Sequence, residues 1–418
     1  MKSSNRYLLV THIPFTRNAQ GSAVVDGLWA RDLIGLVQAN GPVRVVAPEL
    51  PAGEGFKTWG PNTVELPESS GITFRGFPPV TSRLHAYRWL KIRAVLRDEV
   101  QQADVVHTSN FFPPYAGLSY AHHLANRLGK KTLFVIAEDF YDMLSWEWVR
   151  PSKGFERWRR ERGLRSIDRH VRDCATTASL TFLHTPAAVE RYRLSANRSF
   201  AIRQPGHELD QVISSEDLEL RLDSLRAGRP LHLVAACRHS HLKGLDFLIR
   251  AIALLARRSA HVRATLYGSG PETSQLLALA VALGVADRVA FPGALPAGPE
   301  LDAALRQGDL LAMPHRTTDF GRAFFDGMAA GLPVLAFRTP ASQGTVVDGE
   351  DGFLIPLDDV AALAERIGML HADRNKLANA AWAARQRATL NTRSEWYRLR
   401  AEWTNSLFDT VPEGTVSA

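Results

Sequence analysis

Arg238 and Lys243 stand five positions apart in the segment Ala236-Cys237-Arg238-His239-Ser240-His241-Leu242-Lys243-Gly244, which follows a β-rich run and opens a helical pattern. Two cations beside the free amides of a helix N-terminus suit a diphosphate. The amides and the helix dipole favour an anion, and the side chains neutralise its charge. The same residues are also compatible with a solvated basic loop. A second stretch runs from Thr317 to Val334. A loop there enters a helix near Phe320, and Gly331-Leu332-Pro333 ends that helix before the next strand. Gly321 lets a ligand approach the backbone closely, and the unpaired amides of the first helical turn can hold hydroxyls or an oxyanion. Asp326, one turn further on, reaches either a ribose hydroxyl or only solvent.

Such loops need a scaffold, and the chain supplies one twice. Tyr7–Thr11, Val43–Ala47, Asp104–His107 and Thr132–Ala137 read as short apolar strands separated by helical patterns, including an amphipathic helix over about Ser22–Gln38. After a loop around Gln204-Pro205-Gly206 the alternation restarts. Strands are expected at Leu231–Ala236, His261–Tyr267, Val289–Phe291, Leu310–Met313 and Val334–Phe337, with a helix over Gly244–Arg257. Continuous apolar strands between helices mean parallel sheets covered on both faces. The expected fold class is therefore α/β, with two doubly wound, Rossmann-like domains facing a cleft. The expected domains are residues 1–204, residues 205–385 and a C-terminal helical segment, 386–418, either packing back on the N-terminal domain or forming an ordinary terminal helix.

The chain has 418 residues, 45% apolar and 22% charged, which excludes disorder, collagen and coiled coil as the dominant state. Its two cysteines, Cys174 and Cys237, lack the spacing of zinc fingers or disulfide frameworks. No apolar run approaches the roughly 18 residues that span a bilayer, and the N-terminal run is too short for a signal-peptide core. A cytoplasmic protein is expected, free or on the inner face of the membrane. The net charge of +7 is unevenly spread. Residues 1–205 hold 28 basic and 18 acidic residues, and the remainder holds 22 and 25. A basic partner surface therefore belongs to the N-terminal half.

Two segments carry that charge. Ser82–Val100 includes Arg88, Trp89, Lys91 and Arg93, and Trp146–Arg172 includes Trp158, Arg159 and Arg160. Basic helices with interleaved aromatics fit an anionic membrane surface or a solvated face. Nucleic acid is not expected, because no nucleic-acid motif accompanies them. Gly268-Ser269-Gly270-Pro271 resembles the start of a dinucleotide fingerprint but lacks its third glycine, so a dehydrogenase is rejected.

Taken in order, Arg238-x-x-x-x-Lys243-Gly244, Tyr267-Gly268-Ser269-Gly270-Pro271, Arg288 to Gly293, Asp319-Phe320-Gly321 to Val334, and Asp348 to Leu354 resemble the donor domain of glycosyltransferase family 4. The resemblance covers Leu231 to about Leu370, while the N-terminal half matches only in layout. It implies the GT-B fold and retaining, metal-independent transfer from a nucleoside-diphosphate sugar to a lipid-linked or saccharide acceptor in bacterial cell-surface polysaccharide or glycolipid assembly. No cofactor and no metal ligand are implied.

By position in the family pattern, Arg238 and Lys243 would grip the donor diphosphate. The amides of Phe320, Gly321 and Arg322 would hold sugar hydroxyls, with Gly268 and Gly270 on the donor side. Asp326 falls on the second acid of the E-x-x-x-x-x-x-x-E pattern, a ribose contact. The first acid is replaced by Thr318, with Asp319 adjacent. That leaves three readings: substitution by Asp319, an unusual donor sugar, or a slow or inactive enzyme. Gln20-Gly21 stands where the family has a glycine pair near the phosphates. Glu138-Asp139 stands where it often has a histidine near the reacting carbon; these carboxylates either serve the anomeric centre or the acceptor proton, or cap the following segment. His12 and His107, at strand ends, are expected to be structural or to line the acceptor site rather than to react. Two alternatives remain: a degenerate GT-B protein that binds without turnover, and a soluble natural-product glycosyltransferase.

Overall fold

The computed structural model describes residues 6–51, 63–79, 88–110, 117–137, 140–184, 187–316 and 322–408. The N-terminal part contains β1 (Tyr7–Val10), β2 (Thr16–Arg17), β3 (Ala23–Asp26), α1 (Gly27–Asn40), β4 (Val43–Pro48), β5 (Thr63–Leu66), β6 (Ile72–Phe77) and α2 (Trp89–Gln102). It continues with β7 (Val105–Ser109), α3 (Gly117–Arg127), β8 (Lys131–Ile136), α4 (Phe140–Leu144), α5 (Gly154–Thr177), β9 (Leu180–Leu183), α6 (Ala187–Tyr192) and β10 (Ser199–Ala201). The second part contains α7 (Ser215–Arg226), β11 (Leu231–Ala236), α8 (Leu245–Arg257), β12 (Val262–Tyr267), α9 (Thr273–Ala282), β13 (Val289–Gly293), α10 (Pro299–Leu305) and β14 (Leu310–Met313). It ends with α11 (Arg322–Ala329), β15 (Val334–Phe337), α12 (Pro340–Gln343), β16 (Gly352–Ile355), α13 (Val360–Ala372), α14 (Arg374–Thr389) and α15 (Arg393–Asn405).

Two all-parallel sheets result, ordered β10-β9-β8-β7-β1-β4-β6 and β13-β12-β11-β14-β15-β16. Their strands read as unbroken apolar runs because both faces are covered. On β8, Leu133 and Val135 join the core under α1, while Phe134 and Ile136 join the core under α5. Strand order reverses between β1 and β7 in the first sheet and between β11 and β14 in the second. Loops at the carboxyl ends of such strands form the binding crevice of an open α/β sheet.

One local expectation fails. The helix expected from Ser22 begins only at Gly27. Ala23–Asp26 instead pairs antiparallel with β2 and β5, with Val25 buried and its neighbours half-buried. Asp26 caps the helix, its carboxylate accepting from the amides of Leu28 and Trp29 at 2.9 and 3.2 Å.

The chain crosses between the two parts twice, near residues 204–208 and again near 389–393. The crossings are tied together: the Arg393 amide donates to the His207 carbonyl, and the Arg393 guanidinium pairs with Glu208 at 2.9 Å. α14 packs on α11 and α7, whereas α15 packs on α1 of the first part. Trp403 stacks on Phe200 at 4.5 Å, and Tyr397 is buried in the first domain's core. Gly35 of α1 makes this contact feasible, since a Cβ there would stand 2.6 Å from the Tyr397 ring.

Candidate active site

The β11 switch-point loop carries Arg238 and Lys243, and its shape is dictated by glycines. Gly244 has φ +61°, and a Cβ on it would lie 2.0 Å from the Pro314 carbonyl oxygen at the end of β14. A Cβ on Gly268 would lie 1.9 Å from the Cys237 carbonyl oxygen, and one on Gly270 would lie 2.3 Å from that of His239. These two glycines therefore press the loop into place from behind, which gives them a packing role where donor contact was expected. His239 is fully buried, its Nδ1 3.0 Å from the Thr273 hydroxyl. Desolvation lowers its pKa and keeps the ring neutral. Between these fixed points Arg238 is exposed and Lys243 half-buried.

Arg316 is a residue that sequence reasoning missed. It donates to the His241 carbonyl at 3.0 Å, pairs with Asp358 at 2.9 Å and Asp246 at 3.7 Å, and covers the Phe247 ring at 4.3 Å. It clamps the 241–247 segment against the next loop. Its only sequence signal is a basic residue shortly after a strand, which many surface loops share.

Asp326 takes a partner that was not expected. Its Oδ1 accepts the Gly206 amide at 3.0 Å, and a Cβ on Gly206 would stand 2.7 Å from that oxygen. Burial raises the Asp326 pKa, opposed by His207, Arg322 and the Gly206 amide. The side chain pins the interdomain linker to α11, a structural role the sequence did not show. Arg322 reaches the other domain through its side chain, pairing with Asp32 of α1 at 3.1 Å. Tyr397 lies close enough to Asp32 to feel its charge, joining α15 to the same junction. Thr318, Asp319, Phe320 and Gly321 lie outside the described residues.

On the facing domain, the β1/β7 switch point opens into a cavity of about 510 Å³. Thr11, His12 and Ile13 follow β1, and Ser109 and Asn110 close β7; Trp29 and Asp32 of α1 and Tyr397 and Arg400 of α15 complete the walls. The lining mixes leucines and a tryptophan with a few convergent polar groups, as small-molecule sites do. His107 lines it with Nδ1 2.9 Å from the Tyr7 hydroxyl. Burial, with help from Arg400, pushes its pKa down to about 3, so the ring is neutral at ordinary pH. Burial also lowers His12. Ala137 lines the same cavity, and its amide donates to the Asn110 side-chain oxygen at 3.0 Å. The candidate carboxylates Glu138 and Asp139 follow it but lie outside the described residues. Gly21 is not among the residues lining this cavity. It occupies the turn between β2 and β3 with φ +85°, its amide on the Asn18 carbonyl. A hairpin turn accounts for the positive φ of that glycine.

The basic surface divides. Trp89 is half-buried against Tyr120 in a T-shaped pair, Arg88 donates to the Pro79 carbonyl, and Arg93 lies over Tyr120 at 4.8 Å. Trp89 thus packs inward, and the exposed residues of this helix include Leu90, Lys91 and Arg93. On α5, Arg160 turns inward to the Trp148 carbonyl and to Glu156. Its neighbours are a surface patch. Phe155 and Trp158 are 76% and 50% exposed and stack at 5.5 Å, with Lys153, Arg157, Arg159 and Arg162 exposed around them. Phe155 was not singled out from the sequence.

Two parallel doubly wound domains with loops facing one another from their switch points define a GT-B protein. The overall fold is similar to that of Anabaena HepE in complex with UDP and glucose, at TM-score 0.66 and 20% identity, covering 96% of this chain and 99% of that one. It is also similar to WaaG, a glycosyltransferase involved in lipopolysaccharide biosynthesis, at TM-score 0.62 and 18% identity over 95% and 98% of the two chains. Residues 230–373 match the family described as "Glycosyl transferases group 1". A GDP-mannose-dependent alpha-(1-6)-phosphatidylinositol monomannoside mannosyltransferase of Mycolicibacterium smegmatis is 34% identical over 197 residues, 45% of this chain and 51% of the relative. A D-inositol 3-phosphate glycosyltransferase of Nocardia farcinica is 32% identical over 45% of this chain and 43% of the relative. The chain spans about half the length of the curated relatives it matches.

Proposed function

We propose that this protein transfers a sugar from a nucleoside diphosphate to an acceptor hydroxyl. The observation that carries this is the Arg238–Lys243 loop, held by Gly244, Gly268 and Gly270 at the β11 switch point within the matched segment. The two cations hold the donor diphosphate and stabilise the charge that develops on the leaving group, a role that needs no metal. The acceptor occupies the cavity at the β1/β7 switch point, across the cleft. Neutral His107 and His12 orient acceptor hydroxyls by hydrogen bonding rather than carrying charge. Transfer proceeds with retention, in keeping with the sequence resemblance, and Glu138 or Asp139 serves the anomeric centre.

Inositol- and mannose-containing acceptors are the first to try, with GDP-mannose and UDP-glucose as first donors, a choice supported by the names of the relatives and of a structural neighbour. The exposed Phe155–Trp158 patch with its basic border fits the headgroup region of an anionic membrane, which supports trying a glycolipid acceptor before a soluble one. The test is release of nucleoside diphosphate from each donor in the presence of acceptor, with NMR assignment of the product anomer. Retention in the presence of chelator is expected. Inversion, or a complete loss of activity that added metal restores, would overturn the mechanism. Thr318, standing where the family pattern has its first acid, favours a second reading, a scaffold that binds nucleotide without turnover. Tight nucleotide binding with no transfer to any acceptor would select it.

A further inference from the structure

A cluster of soft ligands sits on the other face of the first sheet. His170 and Cys174 are four residues apart on α5, so they share one face of that helix. His123 comes from α3, which packs against α5. The ligand atoms of these three residues, imidazole nitrogens and the thiol sulfur, all lie within 4.8 Å of one another. Ligands of a tetrahedral zinc, bound at about 2.0–2.3 Å, stand roughly 3.3–3.7 Å apart. Rotamer adjustments of about 1 Å would therefore close the set without moving a helix.

The neighbours fit a metal site better than an ordinary core. His122, next in sequence to His123, is already committed. Its Nδ1 lies 3.4 Å from the Thr108 hydroxyl, and its Nε2 lies 3.1 Å from Thr177 and 3.2 Å from the Asn126 amide. It is a spacer, which leaves His123 to turn toward α5. Ser119 lies near Cys174 and Asp173 near His170, each close enough to act on its neighbour's charge. Outer groups of this kind orient metal-bound ligands. His123 also lines an open groove of about 950 Å³, from which water can supply a fourth ligand.

We propose that His123, His170 and Cys174 form a zinc-type site that staples α3 to α5. Two imidazoles and a thiolate select a borderline-soft cation over magnesium or calcium. On binding, the metal replaces the thiol proton, which passes to solvent. The site lies under α5, on the sheet face opposite α1, and shares no lining residue with the β1/β7 cavity. The inference is therefore independent of the transfer reaction.

The test uses the full chain, reduced, stripped with chelator, and titrated with Co²⁺ alone and then Zn²⁺ alone. One equivalent of cobalt should give a sulfur-to-cobalt charge-transfer band with the visible bands of a four-coordinate ion. Zinc should displace the cobalt and raise the melting temperature, saturating at one per chain. Cys174→Ser should remove the charge-transfer band and Cys237→Ser should leave it. His123→Asn, on a half-buried position less exposed to folding failure, should weaken cobalt binding by more than the roughly 10–100-fold that loss of an outer-shell partner costs. Far-UV circular dichroism confirms that each variant is folded. No charge-transfer band at saturating cobalt, a band that follows Cys237 instead, or unchanged affinity in His123→Asn would overturn the proposal and leave Cys174 as a buried core thiol.

Discussion

Gly244→Ala separates the shape of the donor loop from its charges. Gly244 has φ +61°, a conformation that costs a residue with a Cβ about 1–2 kcal/mol. The new methyl would also stand 2.0 Å from the Pro314 carbonyl oxygen, where real Cβ contacts stay beyond 3.0 Å. The loop or the end of β14 must therefore retreat by about 1 Å. A misplacement of that size in a positioning element costs about 100-fold in rate. Gly228→Ala is the control. It has φ +93° and nothing within 4 Å of a built Cβ, so it carries the backbone strain without the collision. Melting temperature and kcat/KM for the donor are measured for both. Gly228→Ala should lose about 1–2 kcal/mol of stability, Gly244→Ala should lose more because it adds the collision to the strain, and only Gly244→Ala should lose about 100-fold in kcat/KM. Equal kinetic losses, or wild-type kinetics in Gly244→Ala, would refute the argument that the loop's position carries the chemistry.

Other outcomes follow from the same geometry. Lys243→Ala should cut turnover about 100-fold or more, the scale of losing a charged transition-state donor; unchanged kinetics would remove it from the site. A double-mutant cycle on Asp32→Ala and Arg322→Ala should show a coupling of about 1 kcal/mol in unfolding, and strict additivity would mean the interdomain pair is not formed in solution. Buried His107 is held neutral, with its folded pKa depressed to about 3. Its contribution to stability is present above the unfolded value near 6.5 and is lost as pH falls toward 3. His107→Gln should flatten the loss of stability with pH in that window, and an unchanged pH profile would contradict the burial argument. Phe155→Ser and Trp158→Ser should each weaken binding to anionic vesicles by about tenfold or more, with raised salt releasing the wild type; binding indifferent to both substitutions would exclude this patch.

The two sheets were legible because their central strands are buried on both faces and so read as unbroken apolar runs. Leu231–Ala236 and Val334–Phe337 have the bounds expected of them. The expectation of a parallel α/β fold followed from the same runs. The edge and hairpin elements were not legible. β3 is only four residues long and runs directly into a helix, so its alternation is lost in the helical pattern that follows. The donor loop stood out because cations and glycines at fixed spacing have few other uses. The groups that join the domains did not stand out. Asp32 and Arg322 are 290 positions apart, and nothing in either local sequence sets it apart from a solvated helix residue. Trp89 misled for the opposite reason: a tryptophan among arginines reads as surface, but the helix turns it toward Tyr120. The His123–His170–Cys174 cluster was hidden because its members lie on two helices and only one pair has a helical spacing.

Everything proposed for the transfer reaction rests on the Arg238–Lys243 loop binding a nucleoside diphosphate. The most direct measurement is a calorimetric titration of the full chain with UDP, GDP, ADP and dTDP, each repeated on Arg238→Ala. At least one nucleotide should bind, with affinity lost or reduced severely in the variant. Binding by none of the four, or binding that Arg238→Ala leaves intact, would contradict it.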